Sequence, residues 1–287
     1  MSSSTGGYYL PAPSHWPIVG SVGMFLMLFG FASFLHGGTS LVMIAGAAII
    51  IVMLFGWFGT VINESLSGKY NDQVDTSFRM SMGWFIFSEV MFFAAFFGAL
   101  FYARRWAVPW LGGSSNNVMT NELLWPTFEA VWPTTGPGAV GGDFQTMGAW
   151  GIPAINTLIL LTSGVTITWA HWGLKKDDRT QLILGLMATV ALGFLFIGLQ
   201  AYEYFHAYNE LNLKLTSGMY GSTFYMLTGF HGLHVTLGAT MLLVILIRSI
   251  KGHFSNENHF AFEAVAWYWH FVDVVWLGLF VFVYWLV

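Results

Sequence analysis

Glu89 lies inside an uninterrupted apolar run, GWFIFSEVMFF, where a carboxylate has no water to solvate it. An ionisable side chain at mid-bilayer costs at least about 2.5–3.5 kcal/mol, so such a group faces protein, a water-filled cavity or a partner. Two kinds of chemistry fit. Glu89 is a proton-linked or regulatory carboxylate, held protonated or hydrogen-bonded, or it makes a structural hydrogen bond between helices.

A second cluster, Glu263, His270 and Asp273, sits in the last apolar run. His270 and Asp273 are three apart and share a face if the run is helical. An imidazole–carboxylate pair can relay protons or orient a metal ligand, or it can satisfy itself inside a packed bundle. The neighbours Trp267, Tyr268, Trp269 and Trp276 favour dense packing and the structural reading. His231 and His234, in TGFHGLHVTLG, also share a face. Such a pair can begin a metal site, but no acidic residue on that helix completes it. Gly221, Gly229, Gly232 and Gly238 instead suggest close helix contact. His171 and His206 fall near helix ends, where nothing selects them as haem ligands. Ser163 before Gly164 could act as an intramembrane nucleophile, but it has no supporting surround. Gly-x-Ser-x-Gly, His-Glu-x-x-His and P-loop motifs are missing. Cysteine is absent, which rules out disulfides, iron–sulfur ligation, thiolate copper and Cys-x-x-Cys-His haem attachment.

The elements that position these residues follow from composition. The chain is 56% hydrophobic and 8% charged, against about a quarter charged in soluble domains. Its main solvent must be lipid, where every span satisfies its own backbone. The apolar runs far exceed the ten-residue strands of an outer-membrane barrel, so the expected class is an all-α membrane protein. Spans of about 20 apolar residues fall at 17–35, 40–62, 80–103, 153–174, 181–204, 218–247 and 260–285. Residues 1–62 then hold a polar tail, without the basic region of a signal peptide, and the first two helices. A loop follows at 63–79, and 80–287 carries helices three to seven with a long external loop at 104–152. The net charge of −4 implies no nucleic-acid partner.

Lysines and arginines set the orientation. Lys69, Arg79, Lys175, Lys176, Arg179, Arg248 and Lys251 fall on the side of the N-terminus, and Arg104, Arg105 and Lys214 on the other. The N-terminus is therefore expected in the cytoplasm (or matrix) and the C-terminus outside. From the residues alone, a transporter using Glu89 and Asp273 and a hydrolase using Ser163 remain alternatives.

Several long segments resemble subunit III of the cytochrome c oxidases. They are HWPIVGS, FIFSEVMFF, NTLILLTSGVTITWAHW, LQAYEY, YGSTFYMLTGFHGLHVTLGA and HFAFEAVAWYWHFVDVVWLGLFVFVYW, in that order along the chain. The resemblance implies a noncatalytic subunit with no haem or copper of its own, those centres lying in subunits I and II. It implies packing chiefly against subunit I, with contacts to subunit II and small subunits. Helices 1–2 and 3–7 are expected as two bundles separated by a V-shaped cleft that holds phospholipid. The implied role is to support proton uptake and protect the active site from turnover inactivation.

Glu89 matches the family's carbodiimide-reactive carboxylate. Trp57, Glu64, Arg79 and Arg248 match positions near bound lipid, and the histidines His231, His234 and His270, with Glu263 and Asp273, become structural polar groups. One departure is WFGTVINE at 57–64, where the family's stretch carries two arginines and an aspartate that are missing here. Arginine offers a forked donor to phosphate, so Arg79 and Arg248 are left to bind a headgroup. The long loop at 104–152 points to a bacterial inner membrane, the mitochondrial inner membrane being the alternative. The presence of helices one and two points to the cytochrome c branch, since quinol-oxidase relatives lack them in this subunit.

Overall fold

The structure is a computed structural model that describes residues 9–287, so residues 1–8 of the expected polar tail lie outside it. Among the described residues there is no strand. The helices are α1 (Trp16–Leu35), α2 (Leu41–Leu66), α3 (Asp72–Tyr102), α4 (Val118–Leu124), α5 (Ile152–Lys175), α6 (Arg179–Asn209), α7 (Gly218–Ile250) and α8 (Phe260–Leu279). A π-helical turn, Ala103–Ala107, and a last α turn, Val108–Leu111, prolong α3, and a second π-helical turn, Phe280–Trp285, prolongs α8. All but α4 are long and apolar enough to cross a membrane, which makes seven spans.

Helix ends are set by local chemistry more than by hydropathy. Asn71 accepts from Val74 N at 3.0 Å, which starts α3 eight residues before the expected span. Asp72 and Asp75 in its first turn complement the helix dipole, and Arg79 pairs with Asp75 at 2.6 Å. With α2 running on to Leu66, the expected loop at 63–79 shrinks to residues 67–71. Asp178 caps α6 by accepting from Gln181 N at 3.0 Å. The external loop expected at 104–152 is helical at its start and through α4. Its remainder is tied to the α6–α7 link and to the first turn of α7, with Gln145 N donating to Leu211 O at 2.9 Å and Tyr220 N donating to Thr134 O at 3.1 Å.

The chain forms two compact units, Met1–Met80 and Ser81–Val287. In the first, α1 and α2 lie side by side at close range. A Cβ on Gly30 would collide with the backbone of Met43, and one on Gly46 would collide with the backbone of Met27. Small residues let membrane helices approach in this way.

In the second unit, α5, α6, α7 and α8 close a ring, each packing on the next and α8 returning to α5. Trp269 and Trp276 fill its centre with Phe196, Tyr220 and Phe224, all fully buried. Gly193 and Gly238 make room for the Trp269 indole, whose atoms lie 2.9 Å from where a Cβ would be on either glycine. The second-unit part of α3 meets the ring through aromatic side chains, including Phe93 on Phe271 with ring centres 6.0 Å apart.

Candidate functional site

Glu89 on α3 and His234 on α7, singled out separately in the sequence, are partners. Glu89 Oε2 lies 2.9 Å from His234 Nε2, and both side chains are mostly buried. The opposite ring nitrogen, Nδ1, lies 2.6 Å from Phe230 O. A carbonyl oxygen only accepts, so Nδ1 carries a hydrogen. Nε2 is then either the acceptor of a proton held by Glu89 or the donor of an imidazolium facing a carboxylate. In both states the pair holds one shared proton and is neutral overall, the arrangement a lipid-depth carboxylate needs. Phe93 and Phe92 close the pair in, their ring centres 5.0 and 5.8 Å from the imidazole.

His231, one turn before His234, does different work. Its Nε2 donates to Val272 O at 3.1 Å, tying α7 to α8, and its ring sits between Phe196 and Trp276. The two histidines thus share a helix face but engage separate groups.

His270 and Asp273 do not form the self-satisfying hydrogen bond their spacing suggested. His270 Nδ1 lies 3.8 Å from Asp273 Oδ2, beyond hydrogen-bonding distance, and the imidazole is half-exposed. Asp273 is buried, and its carboxylate has room against α5 because a glycine stands opposite. A Cβ on Gly164 would stand 2.8 Å from Asp273 Oδ2.

Ser163 is committed to packing. Its hydroxyl donates to Leu160 O at 2.7 Å and accepts from Trp269 Nε1 at 2.8 Å, with no histidine among its hydrogen-bond partners. Glu263 lies one turn into α8 and faces His259 and His171, with Oε1 3.2 and 3.4 Å from their Nε2 atoms.

A family model described as cytochrome c oxidase subunit III matches residues 6–287. Proteins named cytochrome c oxidase subunit 3 are 40% identical in Gadus morhua and 39% in Equus caballus, each over 99% of both chains. The one from Lemur catta is 38% identical over 99% of this chain and 94% of its own. The chain belongs to the cytochrome c oxidase subunit III family. It is an integral membrane protein and part of a multi-subunit oxidase complex.

The structure places the positions that the subunit III resemblance assigned to lipid. Trp57 is exposed on α2. Glu64 is on α2 itself, with Oε1 accepting from the Tyr9 hydroxyl at 3.0 Å and Oε2 from Tyr70 at 2.9 Å. The Tyr70 phenol titrates above its ordinary value, first because it is partly buried and then because it donates to Glu64. Arg79 pairs with Asp75. Arg248 is almost buried, its guanidinium 4.5 Å from the Phe254 ring centre and its Nε without a hydrogen-bond partner.

Sequence reasoning passed over Gln200 and Glu203 within LQAYEY. Glu203 is fully buried and Gln200 nearly so, and their polar side-chain atoms make no hydrogen bond. Gln200, Tyr204 and Thr228 are among the residues around an almost wholly apolar cavity of about 160 Å³ between α6 and α7. The span expected at 181–204 ends one residue after Glu203, but α6 continues to Asn209. The three-residue spacing of Gln200 and Glu203, which shares a helix face, was the available signal.

Proposed function

We propose that this chain is the noncatalytic subunit III of a proton-pumping cytochrome c oxidase, packed chiefly against subunit I with further contacts to subunit II and small subunits. It holds phospholipid, sustains proton uptake into subunit I and protects the active site from turnover inactivation. Haem and copper reside in the partner subunits. The chain sits in a bacterial inner membrane with its N-terminus in the cytoplasm.

The observation that carries this reading is the 2.9 Å Glu89–His234 contact at span depth, a geometry that suits a carboxylate and an imidazole sharing one proton. The apolar side chains that α3 leaves exposed, among them Trp84, Phe87 and Met91, suit lipid or a partner subunit. The family match over residues 6–287 favours an oxidase subunit over the transporter alternative.

The test is purification of the complex through this chain in mild detergent, followed by an optical spectrum and vesicle reconstitution. Haem absorption is expected to co-purify. A Glu89→Gln complex is expected to assemble and transfer electrons while proton uptake slows and turnover lifetime shortens. Failure of that complex to assemble would make Glu89 structural, and unchanged proton uptake and lifetime would remove it from the proton path.

A further inference from the structure

At one end of the second unit, three ligating side chains converge that the oxidase reading does not use. His171 lies one turn before the end of α5, His259 precedes the first residue of α8, and Glu263 follows His259 by one turn. Because α5 packs on α8, the two histidine rings meet with centres 5.6 Å apart. The three ligating atoms, His171 Nε2, His259 Nε2 and Glu263 Oε1, lie within 4.8 Å of one another.

Three features suit a cation better than a hydrogen-bond network. His171 Nε2 is buried and has no hydrogen-bond partner, although Glu263 Oε1 is 3.4 Å away. His259 Nδ1 lies 3.0 Å from Ser255 O, which can only accept, so Nδ1 carries the hydrogen in the neutral ring. His259 Nε2 then turns a lone pair towards Glu263 Oε1 at 3.2 Å, a contact that needs a shared proton, as at Glu89–His234, or a metal ion; one proton there would leave the buried His171 Nε2 without a partner, whereas an ion would serve all three atoms. An outer hydrogen bond of this kind is what fixes the tautomer of a metal-ligating histidine.

The spacing fits as well. Two ligands each about 2.0–2.1 Å from a tetrahedral zinc ion are about 3.3 Å apart, and the separations of 3.2 and 3.4 Å bracket that value. Two imidazoles and a carboxylate suit zinc and its first-row neighbours, whereas calcium and magnesium prefer all-oxygen sets.

We propose that His171, His259 and Glu263 bind a divalent transition-metal ion of the zinc class. The ion clamps the end of α5 to the start of α8, on the membrane side that the lysine and arginine bias assigns to the cytoplasm. Three protein ligands leave a fourth position for water or a group from a neighbouring subunit. The site departs from the expectation of a chain without metal ligands, and it gives Glu263 and His171 a role beyond structural polar contact. It does not depend on the proton role of Glu89.

The test uses the whole complex, washed with chelator, equilibrated with Zn2+ and freed of excess ion. Zinc is counted against haem iron by elemental mass spectrometry for wild type, His259→Gln and Glu263→Gln. Wild type is expected to hold one zinc per complex more than either variant, with haem absorption unchanged. Zinc-edge anomalous scattering from the zinc-equilibrated wild type is expected to place a peak about 2.0–2.2 Å from the three ligand atoms. Equal zinc in all three complexes would overturn the proposal. If the variants fail to assemble, the wild-type anomalous map decides, and no peak at this cluster would overturn it.

Discussion

Replacing Glu89 or His234 with leucine breaks a hydrogen bond between α3 and α7, and the two losses should not add. With His234 Nδ1 committed to Phe230 O, removal of Glu89 leaves Nε2 in an apolar surround without a partner. An orphaned buried polar group costs about 1–3 kcal/mol. In the His234→Leu variant, Glu89 is orphaned in the same way. The double variant removes both polar groups and pays neither penalty in full, since swapping both partners of a buried pair for apolar groups is often close to neutral. Coupling energies across membrane helices average about 0.6 kcal/mol and reach about 1.7. A pair that shares a proton belongs near the upper end, so about 1–2 kcal/mol is expected. Glu89→Gln should stay close to wild type, because the amide N–H can donate to the Nε2 lone pair of the neutral ring. The assay is SDS titration of the purified protein in bicelles, read by the fluorescence of its 14 tryptophans. Strict additivity of Glu89→Leu and His234→Leu would refute the pairing. A Glu89→Gln loss as large as Glu89→Leu would refute the assignment of the tautomer.

Three further outcomes follow from the geometry. Gly46→Ala should destabilise the protein by about 1–3 kcal/mol, because its Cβ would collide with the α1 backbone at Met27, whereas Gly59→Ala on the same helix meets nothing within 4 Å and should be neutral or better; equal shifts in the two SDS midpoints would contradict this. Ser163→Ala leaves Trp269 Nε1 without its acceptor and should cost about 1–3 kcal/mol in the same titration, and an unchanged midpoint would show that the indole finds another partner. Arg248→Ala should lower the phospholipid retained per complex, measured by mass spectrometry after detergent washing, since it removes a guanidinium that the subunit III resemblance puts near bound lipid; unchanged lipid would take Arg248 out of the binding site.

The seven spans were legible because lipid imposes a requirement on each segment separately: enough apolar residues to cross, with all backbone hydrogen bonds internal. Where the helices end was less legible. The polar turns that carry α3 back to Asp72 and α6 on to Asn209 lie beyond the apolar windows and are held by caps and ion pairs. Glu203 was overlooked for that reason.

Sequence also marked Glu89, His231, His234 and Asp273 as residues that needed partners, because an ionisable group in an apolar run is anomalous wherever it points. What it could not name was the partner. Helical periodicity fixes which residues share a face within one element, and on that basis His270 and Asp273 looked paired and His231 and His234 looked alike. Rotation and register between helices decide actual contacts, and these come from packing around Trp269 and Trp276 and at the glycines opposite bulky groups. That packing joins Glu89 to a histidine 145 residues away, turns Ser163 to an indole 106 residues on, and brings His171 to His259 and Glu263. Sequence determined what each helix must bury; only the tertiary structure decided against what, because that choice is a property of pairs of helices and not of any one of them.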